Sequence, residues 1–199
     1  RKSDDKLIVA SKYGYRFAND LFGSGLVELR TQFTDGFNYD RFDSVAGNYQ
    51  RISRLLAPGY VTVGLGVTWK PADFVEVLVA PLSNRAIIVL DDSLSAQGAY
   101  GVDPGEHVKF EFGSLLNATF KKEVVTNVTL ASRLNVFASY RQFTAMVVNW
   151  ESLFTLKVND YINASFGVDL IYDPSVVTHR DDGTIGPRLQ FRDVIGIGF

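Results

Sequence analysis

The stretch Tyr60-Val61-Thr62-Val63-Gly64-Leu65-Gly66-Val67-Thr68-Trp69-Lys70 alternates without a break. Val61, Val63, Leu65, Val67 and Trp69 fall on one face of an extended chain, because successive side chains of a strand point to opposite sides. Tyr60, Thr62, Gly64, Gly66, Thr68 and Lys70 fall on the other. Apolar residues spaced by two rather than by three and four exclude an amphipathic helix here. A face of valine, leucine and tryptophan behind one of glycine, threonine and lysine predicts a strand between two unlike environments.

The same period runs outward in both directions. Downstream, Pro71-Ala72-Asp73 turns the chain into 74–80, where Val75, Val77 and Val79 share a face. Further alternating segments cover 107–121, 127–140, 148–158 and 162–172, and a last one runs from about Arg188 to Phe199. Upstream, 7–17 and 21–33 read alike, joined at Asn19-Asp20. The connections alternate as well: short at 19–20, 71–73, 122–123 and 159–160, long at 34–58, 82–106, 141–147 and 173–186. One rim of tight turns and one of long loops is the plan of an outer-membrane barrel, whose short turns are periplasmic and long loops extracellular. A soluble barrel of lipocalin type also alternates, but encloses its apolar face.

Three features favour the membrane. Several segments exceed the roughly 9 to 11 residues that a tilted strand needs to cross a bilayer. Tyr13, Tyr15, Trp69, Tyr140, Trp150 and Tyr172 lie on the apolar face near the expected strand ends, where interfacial girdles are built. The opposite face mixes charge with glycine and threonine, as a crowded hydrated lumen does. The expected fold is therefore all-β: an antiparallel up-and-down transmembrane barrel, one domain over 1–199. Nine strands are an odd number, whereas bacterial single-chain barrels are even, so upstream strands making ten or twelve in all are expected.

Composition agrees with this reading. No apolar run is long enough for a helical span, and a mean hydropathy of +0.04 is what alternating faces average to. The net charge of -2 gives no bulk attraction to nucleic acid. The absence of cysteine removes thiolate chemistry and Cys-based zinc sites.

Longer motifs point the same way. Pro81-Leu82-Ser83-Asn84-Arg85, Val89-Leu90-Asp91-Asp92-Ser93-Leu94-Ser95 and Gly98-Ala99-Tyr100-Gly101-Val102-Asp103-Pro104-Gly105 form one such set. With them go Arg30-Thr31-Gln32-Phe33, Leu56-Ala57-Pro58, Asn149-Trp150-Glu151, Lys157-Val158-Asn159, Leu170-Ile171-Tyr172-Asp173 and Gly186-Pro187-Arg188-Leu189-Gln190-Phe191. Together these resemble a domain-of-unknown-function family of predicted outer-membrane proteins in Bacteroidota. The resemblance implies phylum and location, and further strands upstream. It supplies no activity and no catalytic residue.

Candidate chemistry is sparse. His107 and His179 fall at the long-loop side, where an outer-membrane acyl hydrolase would hold a Ser-His pair, yet no serine stands out as partner. Asp91-Asp92 and Asp181-Asp182-Gly183 lack the spaced ligands of a calcium loop and read as solvated turns. The sequons at Asn117, Asn127 and Asn163 fall in strands and carry no glycan in this reading. Gly64-Leu65-Gly66 and Gly196-Ile197-Gly198 read as room inside a narrow barrel rather than as a nucleotide motif. Neither a cofactor nor an enzyme activity is expected.

The polar face carries the electrostatic signal. Lys12, Arg16, Arg30, Lys70, Lys109, Lys121, Arg133, Arg141, Lys157, Arg188 and Arg192 stand against Glu28, Glu76, Glu111, Glu151 and Asp169, an excess of six positive charges. Such a lumen favours anions if open, and plugs the barrel if the charges pair. Asp193 breaks the pattern by sharing parity with Phe191 and Ile195, which calls for a bulge or a place near the outer rim. The expected role is a structural or complex-forming membrane component, with a narrow pore as the alternative. Its contacts are outer-membrane lipid and other surface proteins, the latter through loops 34–58 and 82–106.

Overall fold

The computed structural model of the chain describes residues 7–43, 48–142, 146–159, 161–174, 177–179 and 185–198. In chain order its elements are β1 (Leu7–Ala18), β2 (Leu21–Thr31), β3 (Gly36–Asp43), β4 (Asn48–Ser53), β5 (Gly59–Ala72) and β6 (Val75–Ile88). A short helix α1 (Asp92–Ala96) and a single 3-10 turn (Ala99–Gly101) follow. Then come β7 (Val108–Val125), β8 (Val128–Ser139), β9 (Met146–Lys157), β10 (Asn163–Tyr172), β11 (Val177–His179), β12 (Ile185–Pro187) and β13 (Gln190–Gly198).

The protein is all-β, and one nine-stranded antiparallel sheet in the order β1-β2-β5-β6-β7-β8-β9-β10-β13 contains every strand expected from alternation. Sequential strands are neighbours throughout, as in an up-and-down meander. Among the described residues β1 and β13 are its edges and are not paired with each other. Two small hairpins, β3-β4 and β11-β12, occupy the connections read as loops 34–58 and 173–186.

Register explains where the sequence reading drifts. It ends the fourth strand at Ala80, yet β6 runs on to Ile88. Up to Ala80 the enclosed residues are even-numbered, Leu78 and Ala80; beyond Pro81 the odd-numbered Ser83, Arg85 and Ile87 are enclosed, with the small Ala86 buried between the last two. A proline removes a ladder donor, and a one-residue offset moves every later side chain to the other face, so the pattern looks broken where the strand continues. The Ser83 hydroxyl donates to the Ala80 carbonyl at 2.8 Å across this switch. Similarly, β7 continues to Val125 with a register shift between Glu123 and Val125. Its turn falls at Thr126-Asn127 rather than 122–123, with Asn127 at φ +65°, which asparagine tolerates. Asn127 is thus a turn residue, not a strand residue. The Asn19-Asp20 turn stands as read, Asp20 being left-handed at φ +63°. At the β9-β10 turn the Asn159 carboxamide accepts from the amides of Tyr161 and Ile162 at 2.8 Å each; Asp160 lies outside the described residues.

By internal contacts the chain divides into two compact units. One comprises Arg1–Lys12, Leu26–Val63 and Asn84–Glu111, and the other Tyr13–Gly25, Gly64–Ser83 and Phe112–Phe199. β1, β2, β5, β6 and β7 contribute to both.

Candidate functional site

On β2, β5 and β7 the two faces differ in burial. On β5, Leu65 is 57 % exposed and Val67 42 %, whereas Thr68, the residue after Val67, is fully buried. On β2, Val27 is exposed while Ser24 and Leu26 are enclosed. On β7, Val108, Phe110 and Phe112 are exposed, and Gly113 and Leu115 are not. Valine, leucine and phenylalanine side chains are exposed on one side of these strands, while the enclosed side mixes Ser24, Thr68, Gly64 and Gly113 with Leu26 and Leu115.

In the first unit the connection read as loop 82–106 reduces to 89–107 and folds on itself. The Asp91 carboxylate caps α1 by accepting from the amides of Ser93 and Leu94 at 3.0 and 3.1 Å, so it is a helix cap rather than a free turn residue. Gly98, at φ +66°, lets the chain leave the helix in a left-handed step. Leu94 and Val102 then join Ala57, Ile87 and Val89 in a buried cluster, with Tyr60, Ala99 and Tyr100 packed against it. Ser95, itself buried, donates its hydroxyl to Glu106 O at 2.8 Å and accepts from Gly105 N at 3.0 Å through its carbonyl. Burial, and then the neighbouring Tyr60, push the Tyr100 phenol up to about 12. Its hydroxyl donates to Ile52 O at 2.5 Å.

Beside this cluster the Tyr60 ring lies 4.6 Å from the Arg85 guanidinium and 5.5 Å from that of Arg30. Arg85 is only 3 % exposed and was missed by sequence reasoning, since Pro81 and the parity switch place it in an apparent loop. A guanidinium held on an aromatic face is partly compensated for lost water. Lys109 pairs with Glu111 at 3.2 Å, and Lys12 is exposed on β1. The His107 ring meets Val89 O through Nδ1 at 2.8 Å and Asp92 Oδ1 through Nε2 at 3.5 Å, so a carbonyl and a carboxylate hold it rather than a serine hydroxyl. The side chain of His179, in β11, and the whole of Asp181-Asp182-Gly183 lie outside the described residues.

In the second unit the polar face is tied together by pairs. The Thr68 hydroxyl donates to that of Ser24 at 2.8 Å. Lys70 Nζ meets Glu76 at 2.6 Å and lies 5.5 Å from the Phe22 ring, beside which Arg16 also rests at 6.0 Å. Arg192 faces Asp169 in register and donates to its carboxylate from Nε at 2.9 Å and from Nη2. Arg133 stands opposite Glu151 in the β8-β9 ladder. Lys121 and Lys157 sit toward the turns, where their amides bond Phe74 O and Asn127 O. Arg188 and Arg141 fall outside the sheet strands, Arg188 between β12 and β13 and Arg141 just after β8, so neither belongs to a face of the sheet.

The aromatic residues divide similarly. Tyr13, Tyr15, Trp69, Tyr140 and Trp150 are exposed and Tyr172 is half-buried. Trp69, Tyr140 and Tyr172 lie at or near strand ends, as expected, but Tyr13 and Trp150 lie well inside β1 and β9. Trp150 Nε1 donates to Ser132 Oγ at 3.0 Å, which is also 2.8 Å from Ser152 Oγ, so the polar atoms on this apolar face satisfy one another. The β10-β13 register is unbroken at Asp193, opposite Val168, which removes the bulge and leaves Asp193 on the face of Phe191 and Ile195.

No group of three or more metal-ligating side chains occurs among the described residues. No curated protein and no solved structure matches the chain significantly. Residues 1–37, which hold β1, β2 and the start of β3, match the family described as Protein of unknown function (DUF3078).

Proposed function

We propose that this chain is an integral outer-membrane β-barrel of a Gram-negative bacterium of the Bacteroidota, acting as a structural or complex-forming component with a charged, closed interior. The unequal burial carries the reading: Val63, Leu65, Val67 and Trp69 exposed on one side of β5, Gly64 and Thr68 enclosed on the other. In water such a band is an unusually large apolar patch, whereas in a bilayer it is the required surface. Free strand edges are not tolerated in hydrocarbon, because each unpaired backbone group costs several kcal/mol. The edges β1 and β13 are accordingly closed by further strands outside this sequence, giving an even total of ten or twelve.

The interior is then the polar face. Three of its cations are matched by carboxylates, Lys70 with Glu76, Lys109 with Glu111 and Arg192 with Asp169, and such pairing fills a narrow lumen rather than lining an open one. Partner surface proteins would meet the long-loop side, where Ile52, Leu55 and Leu90 remain exposed. In planar bilayers the intact protein is expected to be silent or to pass small anion-preferring currents, and charge reversal at Arg133 shifts whatever selectivity is measured. Large cation-selective steps would contradict both the register and the closed interior.

A further inference from the structure

The segment 89–107 could have splayed away from the sheet; instead it bends over one particular side of it. Leu94 and Val102 share a buried cluster with Ile87 and Ala57, and Tyr60, Ala99 and Tyr100 pack against it. Tyr60 alternates with the series of Val61 and the exposed Val63 and Leu65 and therefore belongs to the polar face, as does Ile87 by parity with the buried Ser83 and Arg85. The same Tyr60 ring covers Arg85 and neighbours Arg30, so the segment sits over the cationic end of that face.

It is also held there. Both of its ends are tied by backbone bonds, Val89 N to His107 O at 2.8 Å and Leu90 N to Leu56 O at 3.0 Å. Its returning arm is pinned to Ser95, and Tyr100 reaches Ile52 O. Leu94 and Val102 are buried, and a splayed loop would return both apolar side chains to water. Resting on the barrel reading above, we propose that residues 89–107 form a built-in plug that closes the long-loop mouth of the lumen.

The test replaces 92–104 with a short Gly-Ser linker and compares the variant with the intact protein. Folding is read from the faster migration of unheated barrels on denaturing gels, and opening from potassium chloride conductance in planar bilayers. A variant that folds and conducts at least severalfold more than the intact protein supports the plug. Because charge pairs deeper in the lumen can keep conductance low, access is also read at a single cysteine replacing Ile87, and a folded variant in which that thiol stays as shielded from a water-soluble reagent as in the intact protein overturns the plug. Leu94→Asp combined with Val102→Asp keeps the chain length while removing the cluster, and is read in the same way should the deletion not fold. If the intact protein itself shows no heat-dependent shift and does not enter bilayers, the barrel reading has failed, and the plug with it.

Discussion

Gly66→Ala is expected to lower the stability of the fold sharply, while Gly198→Ala leaves it unchanged. A Cβ at Gly66 would stand 2.0 Å from Val79 O and 2.4 Å from Ala80 Cα, both backbone atoms of the adjacent strand. No rotamer change relieves such a clash, because the neighbour is the ladder itself. Gly113 faces the same limit, 2.2 Å from Ala138 O, whereas a Cβ at Gly198 meets nothing within 4 Å. Overpacking of this kind costs about 3 kcal/mol or more, a large part of an ordinary domain's stability. Urea unfolding of the refolded variants measures it. An unchanged midpoint for Gly66→Ala would mean that the β5-β6 approach is looser than described.

Leu65→Arg is expected to cost about 2–4 kcal/mol when the protein is folded into vesicles, since a cation placed toward mid-bilayer loses its hydration. The same change at Val125, the last residue of β7 beside a turn, costs about 0–1 kcal/mol because the interface is near. In a soluble sheet the exposed Leu65 would accept arginine within about 0.5 kcal/mol. A flat, depth-independent result would therefore count against lipid contact.

Much of the architecture was legible because alternation records two environments directly. Val61 through Lys70 specifies a strand and its facing from ten consecutive residues. What escaped reading lies where the period shifts. Pro81 hides the second half of β6 and with it Arg85, the most deeply buried cation described. The hairpins β3-β4 and β11-β12 belong to connections whose short pairings carry little apolar pattern. Pairing partners such as Arg192 with Asp169 depend on register across strands, which one strand's sequence does not contain. The compact 89–107 segment depends on Leu94 and Val102 meeting Ile87, a contact of the fold rather than of local periodicity.

The facing of β5 tests the central claim most directly. With no native cysteine to interfere, single cysteines at Val63 and Thr62 can each carry a fluorophore in protein refolded into vesicles. A lipid-phase quencher should extinguish the probe at Val63, where the side chain is exposed on the apolar face, and leave the probe at Thr62 bright. Quenching at Thr62 with none at Val63 would contradict an outward apolar face and indicate a soluble barrel with an apolar interior.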